Sequence, residues 1–246
     1  MSVEILPLEG IPELQDGDDL AAHLAEAATR SAGGLRDADV VVVAQKAVSK
    51  VEGRVISLDD VTASDRAREL AGDRDPRHLE VILRESIRVV RSRPPLVIAE
   101  TRHGFVCASA GVDASNARGP DTLVLLPLDP DASAARLRAE LRNRTGADVG
   151  VVVSDSFGRA WRQGTTDVAL GVAGLTPLLD LSGTVDGVGY ELHTTQIAVA
   201  DELAGAAELV LGKISGIPAA DVRGLDLRGG GSGRDLVIPP ERDLFR

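Results

Sequence analysis

Asp39-Val40-Val41-Val42-Val43-Ala44 is an almost unbroken apolar run. It is too apolar for a half-exposed strand, so it reads as a strand at the centre of a sheet. It runs into Gln45-Lys-Ala-Val-Ser-Lys50, and a further strand is expected at 51–57 once Gly53 has turned the chain. Upstream, 3–6 is a short strand candidate ending at Pro7. Ile11-Pro-Glu-Leu14, between Gly10 and Gly17, reads as a loop. Asp18 and Asp19 favour the start of an alanine-rich helix over 20–31.

Downstream, Ser64 suits the cap of a helix over 65–71, and a second helix is expected over 77–87, closed off by Pro94-Pro95. Stretches 96–100 and 105–108 read as a strand pair turning at Arg102-His-Gly104, with another strand at 123–126. Asp131 is the expected cap of a basic helix over 132–144 that Gly146 stops. Stretch 148–153 is a strand with Asp155 at its end, 195–207 a helix, and 209–211 and 220–223 strands. Strands outnumber strand–helix–strand alternations, so the expected class is α+β, with mixed sheets and flanking helices. The whole of 1–246 reads as one domain with two interleaved subdomains, divided near Gly119-Pro120.

Bulk composition excludes several functions. Aromatic residues are 2% of the chain, too few for base-stacking platforms, and 27 basic against 38 acidic residues leave a net charge of -11. Both disfavour a nucleic-acid partner. The one cysteine, Cys107, forms no internal disulfide and reads as a packed core residue. The start Met1-Ser-Val-Glu-Ile-Leu-Pro lacks a signal-peptide pattern, and no apolar run nears the roughly 18 residues of a membrane span. A soluble, cytoplasmic protein is expected.

Two acidic motifs carry the chemistry, Ala110-Gly-Val-Asp-Ala-Ser-Asn116 and Val153-Ser-Asp-Ser-Phe-Gly-Arg159. Each presents a carboxylate among small residues after an apolar run, which suits Asp113 and Asp155 as ligands of a divalent cation. Ser156 could add a hydroxyl, and Asn116 a neutral donor and acceptor. The same residues equally suit turns and caps. Arg159 and Arg162, flanking Trp161, could clamp a phosphate or a carboxylate, or form surface pairs with Asp155 or Asp167. Lys46 and Lys50 either reach a phosphate from the strand end or are solvated. The glycine run 229–233 lacks the lysine–serine ending of a phosphate loop and reads as a mobile surface loop. The four histidines are too dispersed for a metal pair, and His103, in its turn, is expected to be exposed.

Ordered motifs extend the reading. Leu6-Pro-Leu-Glu-Gly-Ile-Pro12, Ser49-Lys-Val-Glu-Gly-Arg54, Cys107 to Asn116, Leu126-Pro-Leu-Asp-Pro-Asp131 and Asp155-Ser-Phe-Gly-Arg159 are followed by Ala200-Asp-Glu-Leu-Ala204, Gly216-Ile-Pro-Ala219 and Arg223-Gly-Leu225. In this order and spacing the chain resembles the F420-0:gamma-glutamyl ligases. The resemblance implies that family's fold and a GTP-dependent ligase that adds L-glutamate to coenzyme F420-0 through an acyl phosphate. It implies magnesium or manganese, two ions per site, and a monovalent cation such as K+. It also implies a homodimer with a cleft between subunits and, alongside, a separate flavin-dependent reductase.

By likeness, Asp113 and Asp155 hold one metal, Ser156 contributes to a second, and Arg159 joins the catalytic group. Ile11, Pro12, Glu13, Leu14, Gln45, Lys46, Lys50 and Asn116 match nucleotide contacts, as does the loop Gly212, Lys213, Ile214, Ser215, Gly216 and Ile217. The chain departs from the family at Lys213, where relatives carry an acid for the second metal; Glu202 is a candidate for that missing charge. It departs again at Tyr190, where relatives commonly have arginine. It ends at Leu244-Phe-Arg246 with no flavin-binding domain after it, which reads as a stand-alone ligase or one cut at a domain boundary. The competing readings are a metal-dependent nucleotide phosphohydrolase and a non-catalytic nucleotide-binding protein.

Overall fold

A computed structural model describes residues 2–117 and 119–244; the readings at Met1 and at Phe245-Arg246 fall outside them. Strand β1 (Glu4–Pro7) leads to helix α1 (Leu20–Ala32), and the valine run follows as β2 (Val40–Ala44). Asp19 caps α1 by accepting from Ala22 N at 2.9 Å, and Gly33 closes it in the left-handed conformation. Helix α2 (Gln45–Val51) begins where β2 stops.

A second unit is then inserted: β3 (Val55–Ser57), α3 (Asp65–Ala71), α4 (Pro76–Arg84), β4 (Ser86–Arg93), β5 (Leu96–Thr101), β6 (Val106–Ala108) and β7 (Thr122–Val124). The chain returns through α5 (Pro130–Thr145), β8 (Gly150–Gly158), β9 (Thr165–Ala173), β10 (Leu179–Asp180), β11 (Gln196–Ile197), α6 (Val199–Leu211) and β12 (Ala219–Arg223).

The main sheet has the order β1-β12-β2-β8-β9, with β2 parallel to β8 and every other pair antiparallel. The class is therefore α+β with mixed sheets, as expected. The period of two along a strand divides the valines between two cores. Val41, Val43, Val151 and Val153 pack with Leu24 of α1 and Leu141 of α5. Val40, Val42 and Val152 pack with Leu203 and Ala207 of α6. Burying both faces is what an unbroken valine run requires, at about 1.5–3 kcal/mol per buried side chain.

The inserted unit has its own core, including Leu70, Leu79, Ile82, Val97 and Leu123, around the β4-β5-β6 and β3-β7 sheets. Gly119-Pro120 leads into β7 inside this unit.

Several expected boundaries move. The helix expected to reach residue 87 ends at Arg84, and Ser86 and Ile87 open β4. The helix expected over 195–207 starts at Val199 and takes in 209–211, because Val199, Leu203, Ala207 and Leu211 form one buried stripe. The cap of α5 is Asp129, not Asp131. Asp129 accepts from Ala132 N at 3.1 Å, while Asp131 accepts from Val172 N at 2.8 Å and Gly233 N at 2.6 Å.

Asp155 is not at a strand end, since β8 continues to Gly158 and pairs with β9, a strand not anticipated. At Gly171 of β9 a Cβ would sit 2.1 Å from Pro130 O, so only glycine lets the start of α5 approach. Within the glycine run, Gly229, Gly230 and Gly231 are exposed, as a surface loop requires, while Gly233 is buried, where a Cβ would meet Leu170 O at 2.3 Å. His103 is half-buried rather than exposed, its Nε2 3.0 Å from Pro127 O. Cys107 is buried, as expected. No helix among the described residues is long and apolar enough to cross a membrane.

Candidate active site

The parallel pair β2–β8 ends at the register Ala44–Ser154. Open sheets bind ligands beyond such carboxyl ends, where the strands stop and the chain turns away. Here β2 passes straight into α2, so Lys46 and Lys50 fall at i and i+4 on one face of that helix. Their side chains are only 14% and 12% exposed, which removes the solvated-surface alternative. Lys50 Nζ lies 2.5 Å from Glu13 Oε1, fixing the Ile11–Leu14 loop against α2.

The inserted unit supplies the opposite wall. Asp113 is held by backbone hydrogen bonds to Val124 in both directions, at 3.0 and 2.8 Å. Its carboxylate accepts from Ser115 N at 2.7 Å and Ser115 Oγ at 2.8 Å, a turn of the kind the sequence allowed. It does more than turn the chain, because Lys46 Nζ is 2.8 Å from its Oδ2 and 3.9 Å from Asp155 Oδ1. One ammonium thus bridges a carboxylate from each unit. Phe105 of the insert meets Phe157 of β8 edge-on, ring centroids 6.2 Å apart, which steadies the seam.

The two carboxylates differ electrostatically. Burial pushes the Asp155 carboxyl up to about 6; Lys46 and the Ser156 N–H pull it down, and Asp167 and Asp113 push it further up. Burial also pushes Asp113 up, but the Lys46 ammonium and the Ser115 donors outweigh it and hold the carboxyl below the ordinary range.

Lys46 and Asp155 line a cleft of about 320 Å³; Asp113 is not among its lining residues and is joined to it through Lys46. Its lining includes Ile11, Pro12, Glu13, Leu14, Gln45, Lys46, Lys50 and Asn116. Asp155, Ser156, Gly212, Lys213, Ile214, Gly216 and Ile217 complete the predicted residues found there. Ser215 instead turns its Oγ back onto Leu211 O. Arg159 lies in the exposed loop after β8, its Nη2 3.4 Å from Gln163 O, outside the lining. Among the described residues neither Arg159 nor Arg162 pairs with Asp155 or Asp167.

Glu202, the candidate for a missing charge, is exposed on α6 and outside the lining; Glu208, two turns further on, lines the cleft. Asp167 and Ser154 were also missed as part of the site, since both depend on the β8–β9 pairing. Gln45 is buried, with Oε1 accepting from Ser49 Oγ at 2.8 Å and its Nε2 donor unpartnered at the cleft.

Among the described residues no three acidic, histidine or cysteine side chains converge to hold an ion unaided. A magnesium-type ion asks for less. One or two carboxylates suffice when water and phosphate oxygens complete its shell. Asp113 and Asp155, hard oxygen donors gathered around Lys46, with Lys213 Nζ also 3.9 Å from Asp113 Oδ2, fit an ion that arrives with a polyphosphate.

The model of the F420-0:Gamma-glutamyl ligase family matches residues 10–224, which contain every wall of this cleft. The chain belongs to the F420-0:gamma-glutamyl ligase family. It is 42% identical to the coenzyme F420:L-glutamate ligase of Methanothermobacter thermautotrophicus over 253 aligned residues, covering all of both chains. To the coenzyme F420:L-glutamate ligase of Methanopyrus kandleri it is 44% identical, covering all of this chain and 98% of that one. To that of Methanocaldococcus jannaschii it is 42% identical, covering 99% and 97%. The family match includes the inserted unit, so Asp113 and Asp155, from different units, are both within the family's own span.

Proposed function

We propose that this chain joins L-glutamate to coenzyme F420-0 through an amide bond, with GTP converted to GDP and phosphate, and adds further glutamates through gamma-carboxylates. The observation that carries this is the Asp113–Lys46–Asp155 bridge, whose Lys46 and Asp155 line a cleft, in a chain related end to end to F420:L-glutamate ligases.

In this reading a carboxylate oxygen of the acceptor attacks the gamma-phosphorus and the bond to the GDP oxygen breaks. The glutamate amine then attacks the acyl carbon of the acyl phosphate and expels inorganic phosphate, losing its proton. Lys46, Lys50 and Lys213 supply positive charge to the phosphates, and the free Gln45 Nε2 supplies a donor. Asn116, in the left-handed conformation at φ 56°, offers its amide from the facing wall. Asp113 and Asp155 would hold magnesium or manganese, with Ser156 toward a second ion, and that metal would neutralise charge on the transferred phosphoryl group. A monovalent cation such as K+, a homodimer and a cytoplasmic location belong to the same reading.

The test is phosphate release from GTP with magnesium or manganese, with and without F420-0 and L-glutamate, following product mass. Release that needs both substrates, with mass rising in glutamate steps, is the expected result. Release indifferent to both would replace the ligase with a nucleotide phosphohydrolase, and no release would leave a nucleotide-binding protein.

A further inference from the structure

Asp167 of β9 stands opposite Ser156 of β8 in the antiparallel ladder and is 6% exposed. Its Oδ2 accepts from Ser154 Oγ at 3.0 Å and its Oδ1 from Ser156 Oγ at 2.6 Å. Its backbone N–H donates to Glu208 Oε2 at 3.0 Å, tying this part of β9 to the end of α6. Asp167 and Glu208 both line the cleft; beyond a surface pair of Asp167 with Arg159 or Arg162, nothing in the motifs or the resemblance assigned either a role.

The consequence lies at Ser156. A carboxylate accepts and does not donate, so both serine hydroxyl hydrogens are directed at Asp167. A free hydroxyl rotates to suit its neighbour; this one is committed, and only oxygen lone pairs are left for the cleft. Such an oxygen receives a cation and cannot give a hydrogen bond to a phosphate. The short charge-assisted bond also increases electron density on Oγ. Ser154, 1% exposed, occupies the other carboxylate oxygen and keeps the group from rotating.

We propose that Asp167 is a positioning residue that makes the Ser156 hydroxyl a cation ligand, with Glu208 holding Asp167 in register. The proposal rests on the metal–nucleotide reading of the cleft. Partners of this kind behind metal ligands typically contribute 10- to 100-fold in metal affinity or activity.

The experiment measures the Mn2+ dissociation constant by electron paramagnetic resonance, with a non-hydrolysable GTP analogue present, in wild type, Asp167→Asn, Ser156→Ala and the double variant. Melting temperatures in chelator are recorded alongside. An asparagine offers one oxygen and one NH2, so one serine must turn its proton away. Asp167→Asn is expected to weaken Mn2+ binding about 10- to 100-fold. In the Ser156→Ala background the same change is expected to cost less than about threefold, because Asp167 acts through that hydroxyl.

Losses that multiply in the double variant, or an Asp167→Asn affinity within twofold of wild type, overturn the proposal. If Asp167→Asn does not fold, Glu208→Ala takes its place, with a loss above threefold expected in wild type and none in Ser156→Ala; any other pattern overturns the proposal. Wild type that binds no Mn2+ overturns both this proposal and the metal reading, whereas wild-type binding with unchanged variants overturns only this one.

Discussion

Asp155→Asn should make the metal-free protein more stable and the enzyme inactive. The folded-state carboxyl is raised to about 6 from 3.8, mainly by burial. A carboxyl raised by folding gives stability that is fully present below pH 3.8 and is lost as pH climbs through about 6. Above that range the ionised group costs the fold the free energy of a roughly hundredfold change in proton affinity, about 3 kcal/mol. The side chain is 12% exposed, so solvent screens little of this. Asparagine has the same shape, still accepts from the Ser156 N–H, and carries no charge to desolvate.

The expected gain is about 3 kcal/mol at pH 7.5 and about 1 kcal/mol at pH 4.5. For a chain of this length that corresponds to roughly 6 °C and 2 °C in melting temperature. The assay is thermal and urea unfolding of both proteins in chelator across that pH range, with ligation measured separately. Activity should fall by at least about 100-fold, a stability–activity conflict common at such sites. A variant no more stable than wild type at pH 7.5, or a gain independent of pH, would refute the reasoning.

Lys46→Met removes the cation between Asp113 and Asp155; the metal-free fold should lose about 2 kcal/mol, part of which magnesium restores, as read by melting with and without the ion. The same variant should drive the Asp155 carboxyl still higher, since Lys46 is the main charge holding it down, and a carboxyl titration by NMR checks the direction. Cys107, whose thiol burial pushes up to about 12 with the Asp155 carboxylate adding to it, should not react with a disulfide reagent at pH 8 in the native protein, yet should react fully once the chain is denatured. Asp221→Asn should leave Mn2+ binding within twofold of wild type, measured as above, because Asp221 has no exposed surface.

What could be read beforehand follows physical signal strength. The valine run of β2, the stripe of α1 and the Ser64 cap of α3 are local patterns, and they folded as their chemistry suggested. Helix α2 was hidden because Ala44 opens it with no side-chain cap. The bridging position of Lys46 was hidden with it. Strand β9 was hidden because Asp167 and Gly171 interrupt its apolar run, and both interruptions have tertiary causes, the serine pair of β8 and the start of α5. Asp113 and Asp155 were legible as carboxylates after apolar runs, but that an inserted unit brings them to one lysine is a fact of topology. Arg159 shows the converse, since four residues after Asp155 the chain has already left the cleft.

The sheet carries a second group of two aspartates and one cation, and it differs from the proposed site in ways that matter for binding. Beside the amino end of β2, Arg223 Nε lies 3.1 Å from Asp39 Oδ2 and its Nη2 lies 2.6 Å from Asp221 Oδ2. Burial, with Asp39 adding to it, pushes the Asp221 carboxyl up to about 7 against the pull of Arg223. A raised carboxyl therefore marks both ends of the sheet and distinguishes neither. The difference lies in commitment and access. The Arg223 fork also donates to Ala32 O at 2.8 Å and Gly34 O at 2.5 Å, so it fastens the end of α1 to the sheet. Asp221 is wholly buried, and no ligand can reach it without unfolding that end. At the carboxyl end the cation is a lysine, a point charge on a flexible stem that can move between partners. Of its two carboxylates, Asp155 lines a cleft, with the unpartnered Gln45 amide beside it. Of these two groups, the one at the β2–β8 carboxyl end is buried, mutually held and open to a cleft on one side, the arrangement that the proposed incoming ion requires.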